Sequence, residues 1–389
     1  MKSISMNNIV MSLQQSKIRE ISKHCVSGVD INLGQGICDL PTNVEIRNKT
    51  CEAINNNLNM YSASEGIIDL RCAVRNKLVN FNNIPLNEVA HDVLITNGAT
   101  GAFICSVITL FNPGDEIILF EPFYGCHRNI LEFYQLKVKT VKINLADFSI
   151  DFNELAQQIS SKVRGIVICN PCNPCGKVFS TEELNTIGKL AQKNGLWVIS
   201  DEIYEYITYP AQRHVSFSSI KDYAENSVTI SGFSKTYNVT GWRLGYVAAN
   251  KKIIEKMSIV QDLLYVCPAT PLQYGMLQAL SLPLDYYEAL QTYYLLNRNI
   301  VVDTLKSIGA TVPVPQGAYY AFADFSEVLA HTTIENLSSH LLNEAHVATI
   351  PGETFYVNPE DGHLKMRICY ATNTANLQVA MDNLKKYFL

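Results

Sequence analysis

The feature that most constrains this chain is a series of short, almost wholly apolar segments separated by helical stretches. Residues 92–96, 115–120, 165–169, 196–200 and 227–230 each read as one strand, and 99–110 is the clearest of the helical runs. Strands that are apolar throughout, rather than alternating, need cover on both faces. That predicts a mostly parallel central sheet flanked by helices, an α/β fold. Sites in such sheets form at the carboxyl ends of the strands. After Pro268 and Pro271 a long helical stretch runs to about Lys306, and the tail then changes character. It reads as strands at 317–325 and 365–370 and helices at 334–344 and 376–387, with 29–33 a strand able to join them. The expectation is a large domain over 46–289 and a smaller α+β domain assembled from 1–45 and 290–389.

Composition narrows the function classes. Thirty-one Lys and Arg against 36 Asp and Glu leave a net charge of −5, with no block of either sign. A nucleic-acid surface calls for a basic stripe, and none is visible. No apolar run approaches the ~20 residues that span a bilayer. The opening residues carry Asn7, Asn8, Gln14 and Gln15 where a signal peptide is continuously apolar. A cytoplasmic setting is therefore expected, with the 11 cysteines as free thiols.

The chemistry concentrates in residues 231–246, SGFSKTYNVTGWRLGY. Lys235 follows a strand among small and hydroxyl residues, and Arg243 stands eight residues on, between Gly241 and Gly245. A lysine amine that can lose its proton forms Schiff bases with carbonyls. An arginine fork suits a phosphate. Together they describe an aldehyde bearing a phosphate, pyridoxal 5′-phosphate, although alone the segment is equally a loop with two solvated cations. Upstream, Asp201 directly follows the strand at 196–200. Such an aspartate is ordinarily a helix N-cap, but a pyridinium nitrogen needs a buried carboxylate of this kind. The turn Asn170–Gly176, NPCNPCG, can aim an amide at a ring hydroxyl. Residues 97–101, NGATG, join a strand to a helix whose first amides can receive phosphate.

In this order the stretches resemble the class I/II aminotransferases, fold-type I pyridoxal-phosphate enzymes related to aspartate and kynurenine–glutamine transaminases. Residues 32–36 (NLGQG) resemble their substrate loop and 121–124 (EPFY) their ring-stacking segment. Residues 315–319 (PQGAY) and 366–368 (MRI) resemble C-terminal landmarks. The resemblance implies that Lys235 forms the internal aldimine and shuttles the proton, and that Asp201 holds the pyridinium proton. Asn173 and Tyr204 would hydrogen-bond the ring oxygen while Tyr124 stacks on the ring. Gly98, Ala99, Thr100 and Arg243 would surround the phosphate. Tyr61 would reach the phosphate of a neighbouring subunit, which implies a homodimer with shared sites. Arg367 would clamp the substrate α-carboxylate, assisted by Asn173 and the backbone near Gly36.

Three positions depart from the family pattern. Cys175 replaces the usual threonine of the Asn-Pro-Thr-Gly turn. Gly232 stands where some relatives carry a phosphate-binding serine, leaving Ser234 or Ser231 as the substitute. Thr100 replaces a lysine that reads acidic side chains in some relatives. The implied reaction passes an amino group from an L-amino acid to a 2-oxo acid by a ping-pong route, with a carbon–sulfur β-lyase as the alternative on the same apparatus. A regulator built on this fold is disfavoured, because the strand at 29–33 leaves little chain ahead of it for a DNA-binding domain. Cys169, Cys172 and Cys175 have the spacing of an iron–sulfur run but lack its fourth cysteine, so they are read as turn thiols. The eight histidines show no metal spacing and are assigned core or surface roles.

Overall fold

The computed structural model describes residues 7, 11, 17–87, 89–331, 334 and 336–389; the polar opening stretch therefore lies largely outside the described residues. Twelve strands are present among them. In chain order they are β1 (Ile31–Asn32), β2 (His91–Thr96), β3 (Glu116–Glu121), β4 (Lys137–Lys142), β5 (Val163–Cys169) and β6 (Trp197–Asp201). Then follow β7 (Ser227–Gly232), β8 (Gly245–Asn250), β9 (Tyr320–Asp324), β10 (Val347–Ala348), β11 (Ile350–Pro351) and β12 (Lys365–Cys369).

Seven of them form the central sheet in the order β2-β8-β7-β6-β5-β3-β4. From β7 to β4 every pairing is parallel, as the apolar runs predict. β8 is inserted antiparallel between β2 and β7, so the sheet is mixed. Alternate residues of each inner strand serve opposite faces. Leu119, Val167, Ile199 and Val228 pack with Phe103 and Met257, which lie on helices Gly98–Leu110 and Lys251–Tyr265. Ile118, Ile166, Ile168 and Val198 pack with Leu184 and Ile187 of helix Thr181–Asn194 on the other face. That last helix is sharply delimited. Ser180 and Glu183 form a reciprocal capping box at its start, and Gly195 at φ 63° ends it.

β4 and β8 were not expected from sequence. β4, KVKTVK, lies on the sheet edge, where its three lysines leave only Val138 and Val141 apolar. The long helical stretch is two helices, Thr270–Ala279 and Leu284–Ser307, parted at Pro283. A proline there lacks the amide that would continue the first helix.

Antiparallel β11-β12-β9 forms a second sheet in the tail. The chain start meets the tail in a separate two-stranded sheet: β1 pairs parallel with β10, Ile31 opposite Val347. Leu33 lies in the same core as Leu290, Tyr319, Leu341 and Leu377.

Candidate active site

Neighbouring strands of the central sheet each end in a residue of one cavity. β3 leads into Tyr124, β5 into Cys169 and the turn to Asn173, β6 ends at Asp201, and β7 runs into Ser234 and Lys235. The cavity measures about 910 Å³, and every candidate from the sequence lines it except Gly98, Tyr61 and the alternative serine Ser231. Its position follows from topology. After β3 the chain steps outward to β4 and returns on the opposite side of β3 as β5. Such a switch leaves a crevice at the carboxyl ends.

Lys235 donates its Nζ hydrogen to the Gly36 carbonyl, 2.8 Å away. Burial lowers its amine to about 8. Desolvation penalises the charged form, which makes this lysine a better nucleophile near neutrality than one on the surface.

Asp201 is 6% exposed and has two partners. Oδ1 accepts from the Ile203 amide at 3.2 Å, the local turn bond of an aspartate at a strand end. Oδ2 accepts from His127 Nε2 at 2.9 Å. The His127 ring sits between Phe103 and Tyr124, with centroids 4.5 and 5.2 Å away. Sequence reasoning gave His127 only a core or surface role; it is instead a direct partner of the one buried carboxylate lining the cavity floor. The available signal was its place three residues after Tyr124, in helix Gly125–Phe133.

At one end the cavity is shaped for an anion. Helix Gly98–Leu110 begins there, and Asn97 at its cap position makes no side-chain capping bond; its Oδ1 is buried without a partner. The first-turn amides, which have no acceptor within the helix, thus stay available to a ligand. Arg243 adopts a left-handed φ of 54° and lies against Gly98. A Cβ on Gly98 would come within 2.6 Å of Arg243 Nη2, so this glycine, at φ 72°, makes room for the guanidinium rather than touching the cavity. Of the two candidate serines, Ser234 lines the cavity, whereas Ser231 turns away to Glu205 Oε1 at 2.8 Å.

At the other end Arg367 of β12 is 1% exposed. Nη1 donates to Asn173 Oδ1 at 2.9 Å and Nη2 to the Gly34 carbonyl at 2.6 Å, while the buried Nε has no partner. The rings of Tyr320 and Phe355 flank its guanidinium at 4.4 and 5.2 Å. Tyr204 and Tyr320 share a hydroxyl–hydroxyl bond of 2.9 Å.

The cysteine triplet divides: Cys169 lines the cavity, and Cys172 and Cys175 lie in the core. Among the described residues, the side chains that converge as a metal set would are Glu202, Glu205 and His214. Their oxygens are already engaged, by Lys77, Asn82, Ser231 and Tyr246 on Glu205 and by Ser200, Ser216, His214 and the Phe217 amide on Glu202. This is a buried ion network outside the cavity.

The sequence pattern described as "Aminotransferase class I and II" matches residues 29–384. The chain belongs to this family. As a class I and II aminotransferase it is an enzyme that acts through a lysine Schiff base, with the ping-pong mechanism typical of the family and the family's cofactor, pyridoxal phosphate. It is 31% identical over 382 residues to an aspartate aminotransferase of Sulfolobus acidocaldarius, covering 96% of this chain and 94% of that protein. It is 30% identical over 361 residues to aromatic-amino-acid aminotransferase 2 of Thermococcus litoralis, covering 92% and 91%. The crystal structure of an aromatic aminotransferase from Pyrococcus horikoshii superimposes with a TM-score of 0.86 at 30% identity, covering 95% and 98%.

Proposed function

We propose that this cavity holds pyridoxal 5′-phosphate on Lys235 and exchanges an amino group there between an L-amino acid and a 2-oxo acid. The observation that carries the reading is one cavity in which a lysine amine near 8, a buried Asp201–His127 pair and the walled guanidinium of Arg367 converge. The uncapped helix start and Arg243 support a phosphate at the remaining end. When bound, the cofactor supplies an electron sink for the carbanion formed at the substrate Cα.

The chain's own residues do the rest. Asp201, steadied by His127, keeps a proton at the ring nitrogen. Tyr204 donates to the ring oxygen, and Asn173, whose Oδ1 is held by Arg367, turns its amide nitrogen to the same oxygen. Ala99, Thr100, Ser234 and Arg243 hold the phosphate, and Tyr124 covers the ring. Arg367 takes the α-carboxylate between Tyr320 and Phe355, where exclusion of water strengthens a charge-assisted pair. Lys235 takes and returns the proton at the substrate Cα.

A second copy of the chain completes the site in this reading. Tyr61 and Met60 are both 82% exposed, Leu263 is 81% exposed, and the Met60 carbonyl accepts a hydrogen bond from Thr270 Oγ1. Large apolar side chains left this open suit a docking surface. Residues 46–289 then act as the cofactor-binding body, and 1–45 with 290–389 bring Gly36 and Arg367 to it.

The test is a panel of L-amino acids offered to the purified enzyme against 2-oxoglutarate and pyruvate, followed by the bound cofactor's visible absorbance. Lys235→Ala is expected to lose both that absorbance and turnover. Retained turnover in Lys235→Ala would overturn the assignment.

A further inference from the structure

Tyr320 is the first residue of β9 and is 2% exposed. Three groups meet it. Its hydroxyl lies 2.9 Å from that of Tyr204. Its ring lies beneath Arg367, 4.4 Å from the guanidinium carbon. Its Oη also abuts Gly36 so closely that a methyl group on that glycine would collide with it. Gly36 is in turn the residue whose carbonyl receives both Lys235 and, at 3.1 Å, the Tyr319 hydroxyl. The placement is rigid, because β9 pairs with β12 in a register that sets Tyr320 opposite Cys369 and Phe322 opposite Arg367. Packing alone asks for a ring at this position. It does not ask for a hydroxyl aimed at another hydroxyl.

We propose that Tyr320 is a positioning residue for the transamination, acting through Tyr204: its hydroxyl donates to Tyr204 Oη, which leaves the Tyr204 proton directed at the cofactor's ring oxygen, while its ring supports Arg367. The inference rests on the reading above in which Tyr204 faces that oxygen.

The chemistry follows from proton counting. Burial pushes the Tyr320 hydroxyl to about 12 and that of Tyr204 further upward, so both stay protonated at neutral pH. Two hydroxyls that share one bond use one proton between them, and the other is free. If Tyr320 donates, the free proton belongs to Tyr204, and a chain of donors strengthens each successive bond. The titratable and charged groups facing the pair include Arg367 and Cys369 of β12, Tyr319 beside it, Tyr124 after β3 and Cys169 at the end of β5, and Lys235 and Asp201 line the same cavity. A donor to the ring oxygen favours its anion and thereby holds the protonation of the bound cofactor at lower pH.

The experiment is a spectroscopic pH titration of the cofactor-loaded enzyme in four forms: parent, Tyr320→Phe, Tyr204→Phe and the double variant. Tyr320→Phe keeps the ring and removes only the hydroxyl. It is expected to move the titration upward by about 0.5–1 pH unit, a ~3- to 10-fold change in proton affinity. Tyr204→Phe should move it further, and the double variant should match Tyr204→Phe alone, because the effect passes through Tyr204. A midpoint unmoved in Tyr320→Phe, or an equal added shift in the Tyr204→Phe background, overturns the proposal. A midpoint unmoved in Tyr204→Phe instead sinks the parent reading of Tyr204. The ring's part is read separately. Tyr320→Leu should weaken binding of carboxylate inhibitors ~3- to 10-fold, while Tyr320→Phe leaves it unchanged. Matching thermal transitions and cofactor content confirm that each variant is folded, and equal inhibitor binding in Tyr320→Leu overturns the support role.

Discussion

Lys235 and Asp201 differ in how much of their setting a sequence can carry. The position of Lys235 after a strand and ahead of Arg243 is local, and so it was legible. Its amine near 8 arises from burial by residues brought in from elsewhere in the chain. The direction has a consequence for the cofactor-free protein. Above its pKa the amine is neutral and nucleophilic, so recovery of visible absorbance on adding pyridoxal phosphate should accelerate up to about pH 8 and then level. A rate still climbing at ~10, where ordinary lysines titrate, would contradict the burial effect. His127 was not legible because its partner is 74 residues away. His127→Phe fills the space between Phe103 and Tyr124 but leaves Asp201 Oδ2 without its donor. A buried acceptor left unpaired costs about 1–3 kcal/mol, measurable by urea unfolding, and kcat should fall by ~10-fold as the ring-nitrogen contact loosens.

Among the elements, those whose signal is internal were readable. β5, β6 and β7 are buried on both faces and therefore apolar throughout. β4 carries an edge strand's mixed pattern, and β8 follows so directly on the glycine-flanked Arg243 that its apolar core GYVAAN merges with the motif. The helix start at Gly98 was legible as an anion site, but the task of Gly98 itself was not. It depends on Arg243, contributed by the segment before β8. Gly98→Ala combines a left-handed φ with a clash against that guanidinium. About 1–2 kcal/mol of stability should be lost on backbone grounds. The apparent Kd for the cofactor should also rise, as equilibrium dialysis would report, whereas Ala99→Gly, beside it, should leave the arginine in place.

For the whole molecule, the sequence carried the α/β class and the opening strand's place with the tail, seen in the pairing of β1 with β10. The order of strands and the antiparallel insertion of β8 were beyond it, because pairing partners are set by tertiary packing rather than by local pattern. The exposed side chains of Met60, Tyr61 and Leu263 make a prediction at this scale. Leu263→Glu places a charge on the proposed docking surface, at a residue that does not line the cavity. It should convert a dimer to monomer in sedimentation and weaken cofactor retention, while a parent enzyme already monomeric would remove the shared-site reading. The pairing of Ile31 with Val347 reaches further still. On a ribosome the first of these residues waits for the second across 316 positions, roughly 15–60 s of synthesis at ordinary elongation rates. Through that interval the seven-stranded sheet, Asp201 and Lys235 have all emerged, but Arg367 has not. With the roles proposed above, the nascent chain thus acquires the means to capture its cofactor before it acquires the means to recognise a substrate.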